Sequence, residues 1–427
     1  MSEQLTDPKG RTVVVVTGMG VVTSLGRGVD DNWAALTAGR SGLRRIERFP
    51  IEGLRTTVAG CVDFLGVEPY SAPALSTAMA IASGEEAIAM AGIGTKTSFP
   101  GPLFLATPPT ELEWPQRKQL FDAAPDTGEV GYQKLIAAAR GGDFEDINAL
   151  FQFASVGEAL ADRFGTRGLP ISLSTACASG ASALQLGVEA IRRGETDAAL
   201  SIATDGTVQI EALIRFSLLS ALSTLNDPPE KAARPFAKDR AGFVMAEGSG
   251  AFVLESYEAA KARGATILGV IRGCGERADD YHRTRSKPDG SPIISAIEKT
   301  LDDASVKPDE IGYINAHGTG TQENDKMEYV SLHAVFGDPL HEIPISSNKS
   351  MIGHTLTAAG AVEGAFSLKA METGTVPPTI NYDTPDPDIP LDVVPNVARP
   401  AEVGAVLSNS FGFGGQNVCV VYAREPA

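Results

Sequence analysis

Short β-branched runs alternate along this chain with longer stretches in which alanine and leucine recur at helical spacing. Val13 to Thr17, Ile171 to Ser174, Ile311 to Ala316 and Ile343 to Ser346 are each apolar for a few residues and end in a turn rich in Gly, Ser or Thr. Such runs predict parallel strands followed by crossover helices. Gly250 to Glu255, Ala405 to Ser408 and Val418 to Tyr422 add strands of mixed sense, so the predicted class is α/β. Tyr257 to Arg263 is a charged helical stretch stopped by Gly264, and a fresh strand, Thr266 to Ile271, comes after it. That seam divides the chain into an N-terminal half, 1–262, and a C-terminal half, 263–427. Both halves begin with a strand and a glycine turn, VVVVTGMG and ILGVIRGCG, which hints at duplication. Between 99 and 150 the pattern weakens, and TPPTELEWPQRK reads as part of an inserted surface excursion with short helices. Pro377 to Pro400, rich in Pro and Asp, predicts an extended surface connection.

Composition narrows the function classes. The 427 residues are 43% hydrophobic and 21% charged, enough to bury one large core or two fused ones. A net charge of −17 argues against nonspecific binding to nucleic acid or to anionic lipid. No run approaches the roughly 20 apolar residues of a membrane span, and the polar opening MSEQLTDPKGR has no signal-peptide apolar region, so a cytoplasmic protein is expected. Cys61, Cys177, Cys274 and Cys419 lie far apart, without metal or disulfide spacing, and no metal is expected. GMGVVTSLG lacks the dinucleotide fingerprint, and no cofactor is expected.

Cys177 stands apart from the other cysteines. It sits in LSTACASGASALQLGVEAIRRG, after an apolar strand and before Ala181, Leu184, Val188 and Ile191 at helical spacing. A thiol on such a turn meets unpaired N–H groups and the positive end of the helix dipole, which are expected to favour thiolate. Two of the five histidines sit in loops of the same kind. His317 closes IGYINA, and His354 precedes TLTAAGAVEGAF. All three positions fall at the carboxyl ends of predicted parallel strands, the edge on which α/β sheets place ligands. Two neutral imidazoles donating to one oxygen suit the stabilisation of an enolate. Glu363, within an apolar helix, requires a partner if buried, and Lys349 is the candidate. HGTGT offers the hydroxyls of Thr319 and Thr321, and SNSFGFGGQN sets Phe413 among glycines.

TACASG, NAHGTGT, NKSMIGHTLTAAGAVE and NSFGFGGQN, in that order, resemble the β-ketoacyl-acyl-carrier-protein synthases of the Cys-His-His type. VVVVTGMGVVTSLG and RPFAKDRAGFVMAEGSG are similar to the family too, and the resemblance spans about residues 11 to 98 and 150 to 424. It implies a thiolase-like fold of two similar halves in five layers, working as a homodimer. It also implies decarboxylative Claisen condensation of malonyl carrier protein with an enzyme-bound acyl chain, the chain-lengthening step of fatty acid synthesis. The implied partner is an acyl carrier protein whose phosphopantetheine arm carries the acyl and malonyl groups. Cys177 then resembles the nucleophile, His317 and His354 the decarboxylation pair, and Lys349 with Glu363 the ion pair that orders the site. Backbone N–H groups of Cys177 and Phe413 resemble the oxyanion hole. Phe413 also resembles a gate, Thr319 and Thr321 contacts to the arm, and Phe243 a ring beside the malonyl carboxylate.

The sequence departs from the family where carrier docking is usual. EPYSAPALSTAMA and FSLLS carry no Lys or Arg there, and Arg44, Arg45, Arg117, Lys118, Arg283, Arg285 and Lys287 are candidates for a replacement patch. These departures admit a specialised condensing enzyme for unusual or very long acyl chains or polyketides. A catalytically silent chain-length partner is the third reading, and the presence of Cys177 argues against it.

Overall fold

The computed structural model describes residues 5–95, 97–124, 128, 130–141 and 144–424. Ten strands carry the architecture: β1 (Val14–Thr23), β2 (Leu103–Ala106), β3 (Ile171–Leu173), β4 (Ala198–Asp205), β5 (Gly248–Ser256), β6 (Gly269–Ala278), β7 (Tyr313–Asn315), β8 (Ile345–Ser346), β9 (Ala405–Phe411) and β10 (Gln416–Ala423). The first five lie in the order β1-β5-β4-β2-β3 and the second five in the order β6-β10-β9-β7-β8. Strand senses match as well: in each set the first three strands run antiparallel, each to the next, and the last three run parallel. The sets join where Val15 and Val16 of β1 pair with Val270 and Gly269 of β6.

Helices complete five layers. α1 (Ala72–Ala91) covers the outer face of the first set, and α4 (Ser291–Ala304), backed by α5 (Gln322–Phe336), covers that of the second. Between the sets lie α2 (Ser179–Arg192) and α6 (Ala359–Thr373), and the short α3 (Ile210–Leu218) comes after β4. The spacing that marks α2 in the sequence faces this middle layer: Ala181, Leu184, Val188 and Ile191 are all buried. α6 is buried from Ala359 through Met371, so its apolar residues show no solvent face and Glu363 goes inside with them.

Three expectations need correction. β1 is antiparallel to both neighbours, and VTGMG is no turn, because the strand runs on to Thr23 past a bulge between Val16 and Gly18. The glycines serve helix packing: a Cβ on Gly18 would stand 2.0 Å from the Ala87 carbonyl oxygen of α1, and one on Gly20 2.0 Å from that of Ser83. Likewise, β6 begins at Gly269 rather than Thr266, and its Gly273 and Gly275 lie against Ala304 and Thr300 of α4. The third correction concerns residues 99–150. Leu103–Ala106 is a fully buried strand inside the first set, and the short helices come only after it, at Trp114–Ala123, Tyr132–Ala139 and Glu145–Leu150.

Candidate active site

Cys177 lies on the turn between β3 and α2. Ala176 takes a positive φ of 49°, and Ser179 Oγ locks the turn, accepting the Thr175 N–H at 2.8 Å and donating to the Ala176 carbonyl at 2.5 Å. Gly180 lets the start of the helix pack closely, since a Cβ there would stand 2.6 Å from the Ala361 backbone nitrogen. The backbone N–H groups of Phe413 and of Cys177 itself are directed at the sulfur. Burial nevertheless dominates the thiol's acidity. With only 8% of the residue exposed, Cys177 is pushed up to about 11, against the opposing pull of the Phe413 N–H and of the Lys349 ammonium. The expected thiolate is therefore overturned: near neutral pH the resting group is a thiol, because desolvation outweighs what the turn supplies. Cys61, Cys274 and Cys419 are raised by burial too and lie away from this pocket.

His317 lies two residues past the end of β7, and its backbone is clamped from α5. Glu328 accepts the N–H of His317 at 2.8 Å and that of Gly318 at 2.7 Å. His354 sits in the turn before α6, where its N–H donates to Val244 and its carbonyl accepts from Ala246. Leu356 donates its N–H to Nδ1 of His354 at 3.2 Å, which leaves the proton of the neutral ring on Nε2. Both imidazoles are held well below their ordinary 6.5, first by burial and next by the Lys349 ammonium. Nδ1 of His317 and Nε2 of His354 are buried without a partner. The two rings meet edge to face with centroids 5.3 Å apart.

Cys177, His317 and His354 thus converge from three loops, with Sγ and one nitrogen of each ring all within 4.8 Å of one another. Sulfur and two imidazoles make a donor set that suits zinc by type. The neighbouring Lys349 ammonium opposes an added cation there. Lys349 donates to Oε1 of Glu363, both residues being buried. Burial raises the Glu363 carboxyl to about 7 against the pull of Lys349.

A cavity of about 550 Å³ opens onto this cluster, with Phe243, Thr319, Thr321 and Phe413 in its wall. Phe243 packs edge to face on His354 at 5.4 Å and faces Phe413 at 6.5 Å. The hydroxyls of Thr319 and Thr321 lie 3.0 Å apart, and Thr321 caps α5 by accepting the Asn324 N–H. Phe413 stands in the turn between β9 and β10, followed by Gly414 and Gly415, which take φ of 94° and 91°. Of the seven basic candidates, Arg44, Arg117, Lys118 and Lys287 are paired with acidic neighbours, whereas Arg283 and Arg285 are exposed and line this cavity. His282 also lines it, while His333 and His341 stack together elsewhere.

Sequence reasoning passed over Glu328 and Asp325. Both are buried on α5, Asp325 accepting the N–H groups of Phe236 and Gly320. Their i, i+3 spacing beside Met327 and Leu332 was the available signal, hidden in a helix that reads as charged overall.

The comparisons with known proteins agree with this geometry. Residues 11–90 and 148–260 match the family described as Beta-ketoacyl synthase, N-terminal domain, and residues 268–383 match Beta-ketoacyl synthase, C-terminal domain. The chain belongs to the β-ketoacyl synthases, the condensing acyltransferases. It is 37% identical to the tetracenomycin polyketide synthase ketoacyl synthase alpha subunit of Streptomyces glaucescens, over 96% of this chain and 97% of that protein. It is 36% identical to 3-oxoacyl-(acyl-carrier-protein) synthase 2 of Coxiella burnetii, over 96% and 98%. Among solved structures, a type II polyketide acyl-carrier protein in complex with its ketosynthase bound to the hexaketide is similar, with TM-score 0.86 and 32% identity over 97% of this chain and 100% of that one. A β-ketoacyl synthase from Burkholderia phymatum gives TM-score 0.82 at 31% identity, over 97% and 100%. Among the described residues no helix is long and apolar enough to cross a membrane.

Proposed function

We propose that this condensing enzyme lengthens a carrier-bound fatty acyl chain by two carbons, using malonyl carrier protein as the donor. The observation that carries the reading is the convergence of Cys177 Sγ and the two buried imidazoles within 4.8 Å. In the first half-reaction the Cys177 sulfur bonds to the acyl carbonyl carbon, the carbon–sulfur bond to the carrier breaks, and the thiol proton leaves with the carrier thiol. The N–H groups of Cys177 and Phe413 hold the carbonyl oxygen as it becomes negative. In the second, the malonyl carbon–carbon bond breaks and carbon dioxide departs. The electron pair remains as an enolate, whose oxygen is held by the Nε2–H of His354 and by His317. The enolate carbon attacks the acyl carbonyl and expels the Cys177 sulfur, which takes a proton from water.

Burial, and after it the Lys349 ammonium that Glu363 holds in place, keeps both rings neutral. Thr319 and Thr321 suit contacts to the phosphopantetheine arm, Phe243 the malonyl group, and Phe413 a gate between the two substrates. The halves 1–262 and 263–427 act as the two structural units. Two copies pair at the sheet edge, where β3 ends the strand order and Leu169 and Ile171 are 89% and 49% exposed. Incubation with malonyl and acyl carrier proteins tests the reading. Wild type elongates, while Cys177→Ala forms no acyl-enzyme. Mass-spectrometric acylation at any other residue overturns it.

A further inference from the structure

A second chamber, of about 500 Å³, opens beside Cys177, with Ala176, Phe216, Leu356 and Phe413 near the sulfur. On the reading just proposed, this is the space for the acyl chain, because the other cavity receives the arm and the malonyl group. Pro73, Pro108, Pro109 and Ala212 make much of its wall apolar. Two polar groups interrupt that wall. Thr107, just past the end of β2, is 0% exposed and its Oγ1 has no partner. Glu113, three residues past the Thr107–Thr110 segment, is 3% exposed, and its Oε1 accepts the Ala72 N–H at 2.6 Å.

Most of the other polar side chains along the chamber are already engaged. Asp205 accepts from Thr207 and Thr357, Ser76 from the Gly206 N–H and Gln209 from the Glu211 N–H. Thr110 donates to the Phe151 carbonyl, and Arg215 pairs with Glu111. Thr107 and Glu113 both retain hydrogen-bonding capacity that a ligand could use. A plain alkyl chain lying against them would seal it from water, which penalises that chain. A chain hydroxyl or keto oxygen can accept from Thr107, and a chain hydroxyl can donate to Glu113. We propose that Thr107 and Glu113 form a polar subsite for an oxygen substituent on the acyl chain carried by Cys177, so that hydroxyl- or keto-bearing chains are selected over plain chains of equal length. Glu113 is raised to about 7, chiefly by burial and also by the nearby Glu211 carboxylate, so its protonated form can also donate to a keto oxygen near neutral pH.

The inference rests on Cys177 being the acylated residue, and the experiment separates the two. Acyl carriers of one chain length, either plain or bearing a hydroxyl or keto group at successive carbons, are compared for kcat/KM of condensation. In parallel, acylation of Cys177 is read by mass spectrometry. The wild type is expected to favour at least one oxygenated chain by roughly tenfold. Thr107→Val, which keeps the shape, and Glu113→Leu are expected to erase that preference. Glu113→Gln, which keeps an acceptor for the Ala72 N–H, retains it in part. A wild type that acylates and elongates plain chains as well as every oxygenated one, or better, overturns the subsite alone, even if the variants prove unstable. Failure of every chain to acylate Cys177 overturns the reading of the site and the subsite with it.

Discussion

The backbone N–H of Leu356 donates to Nδ1 of His354 and thereby aims the ring's only proton, on Nε2, into the cavity that contains Cys177. A ring held this way is a fixed donor, ready for negative charge on a thioester oxygen before any charge develops. His354→Ala removes the donor but leaves Cys177 and its turn intact. Loss of one such donor costs on the order of 10²–10³ in rate. The variant is expected to acylate at Cys177 while malonyl decarboxylation falls by that factor. Equal loss of both half-reactions would assign His354 to the general architecture instead.

Lys349 and Glu363 make the second prediction. Both are sealed from water, and each offsets the other's desolvation. Removing one partner of a buried pair costs roughly 3–5 kcal/mol, because the remaining group stays uncompensated. Glu363→Leu should lower the chemical-denaturation midpoint accordingly, and adding Lys349→Met should recover most of the loss. The double variant should stay slow in decarboxylation, since the cation beside the two rings is gone. A double variant as unstable as the single one would show that Glu363 acts through something other than Lys349.

Much of this site is legible in the sequence because its chemistry sits where local pattern is strongest. Cys177, His317 and His354 each come after an apolar strand and precede a helix start, so their common edge can be read from strand sense alone. Burial is less legible. The turn around Cys177 looks favourable to a thiolate, yet acidity is decided by the layers packed around it, which no local pattern reports. Leu103–Ala106 escapes notice because four residues buried on both faces show no alternation. VTGMG looks like a turn because the reason for its glycines is the backbone of a helix some 60 residues away. Glu328 hides among the surface charges of its own helix, and only the fold reveals that it faces inward to hold the His317 loop.

Gly18 tests that reading of the first strand. With a Cβ, residue 18 would meet the Ala87 carbonyl oxygen at 2.0 Å and Ala91 at 2.9 Å, so α1 has to move away from β1. Forced overpacking of this kind costs about 1–3 kcal/mol. Gly18→Ala is expected to lower Tm measurably, whereas Gly194→Ala, with nothing within 4 Å of its Cβ, suffers only from its positive φ of 70°. A Gly18→Ala protein as stable as wild type would contradict the close approach of strand and helix.

The two buried imidazoles also predict how stability responds to acid. Each is held well below 6.5, first by burial, then by Lys349, and in the case of His317 by His354 as well. The unfolded chain protonates both rings as pH falls through about 6.5, while the folded protein keeps them neutral, so the unfolded state binds up to two more protons. Their contribution to stability is complete above that range and is lost as pH falls. With two protons the slope approaches about 2.7 kcal/mol per pH unit once both rings of the unfolded chain are charged. A His317→Asn/His354→Asn variant lacks these protons, so its stability curve should fall less steeply than the wild type's between about pH 7 and about pH 5. Urea denaturation across that interval measures both slopes. Parallel curves would mean that the rings take up their protons inside the folded protein, and the proposed role of both as neutral hydrogen-bond donors to an enolate would fail with that result.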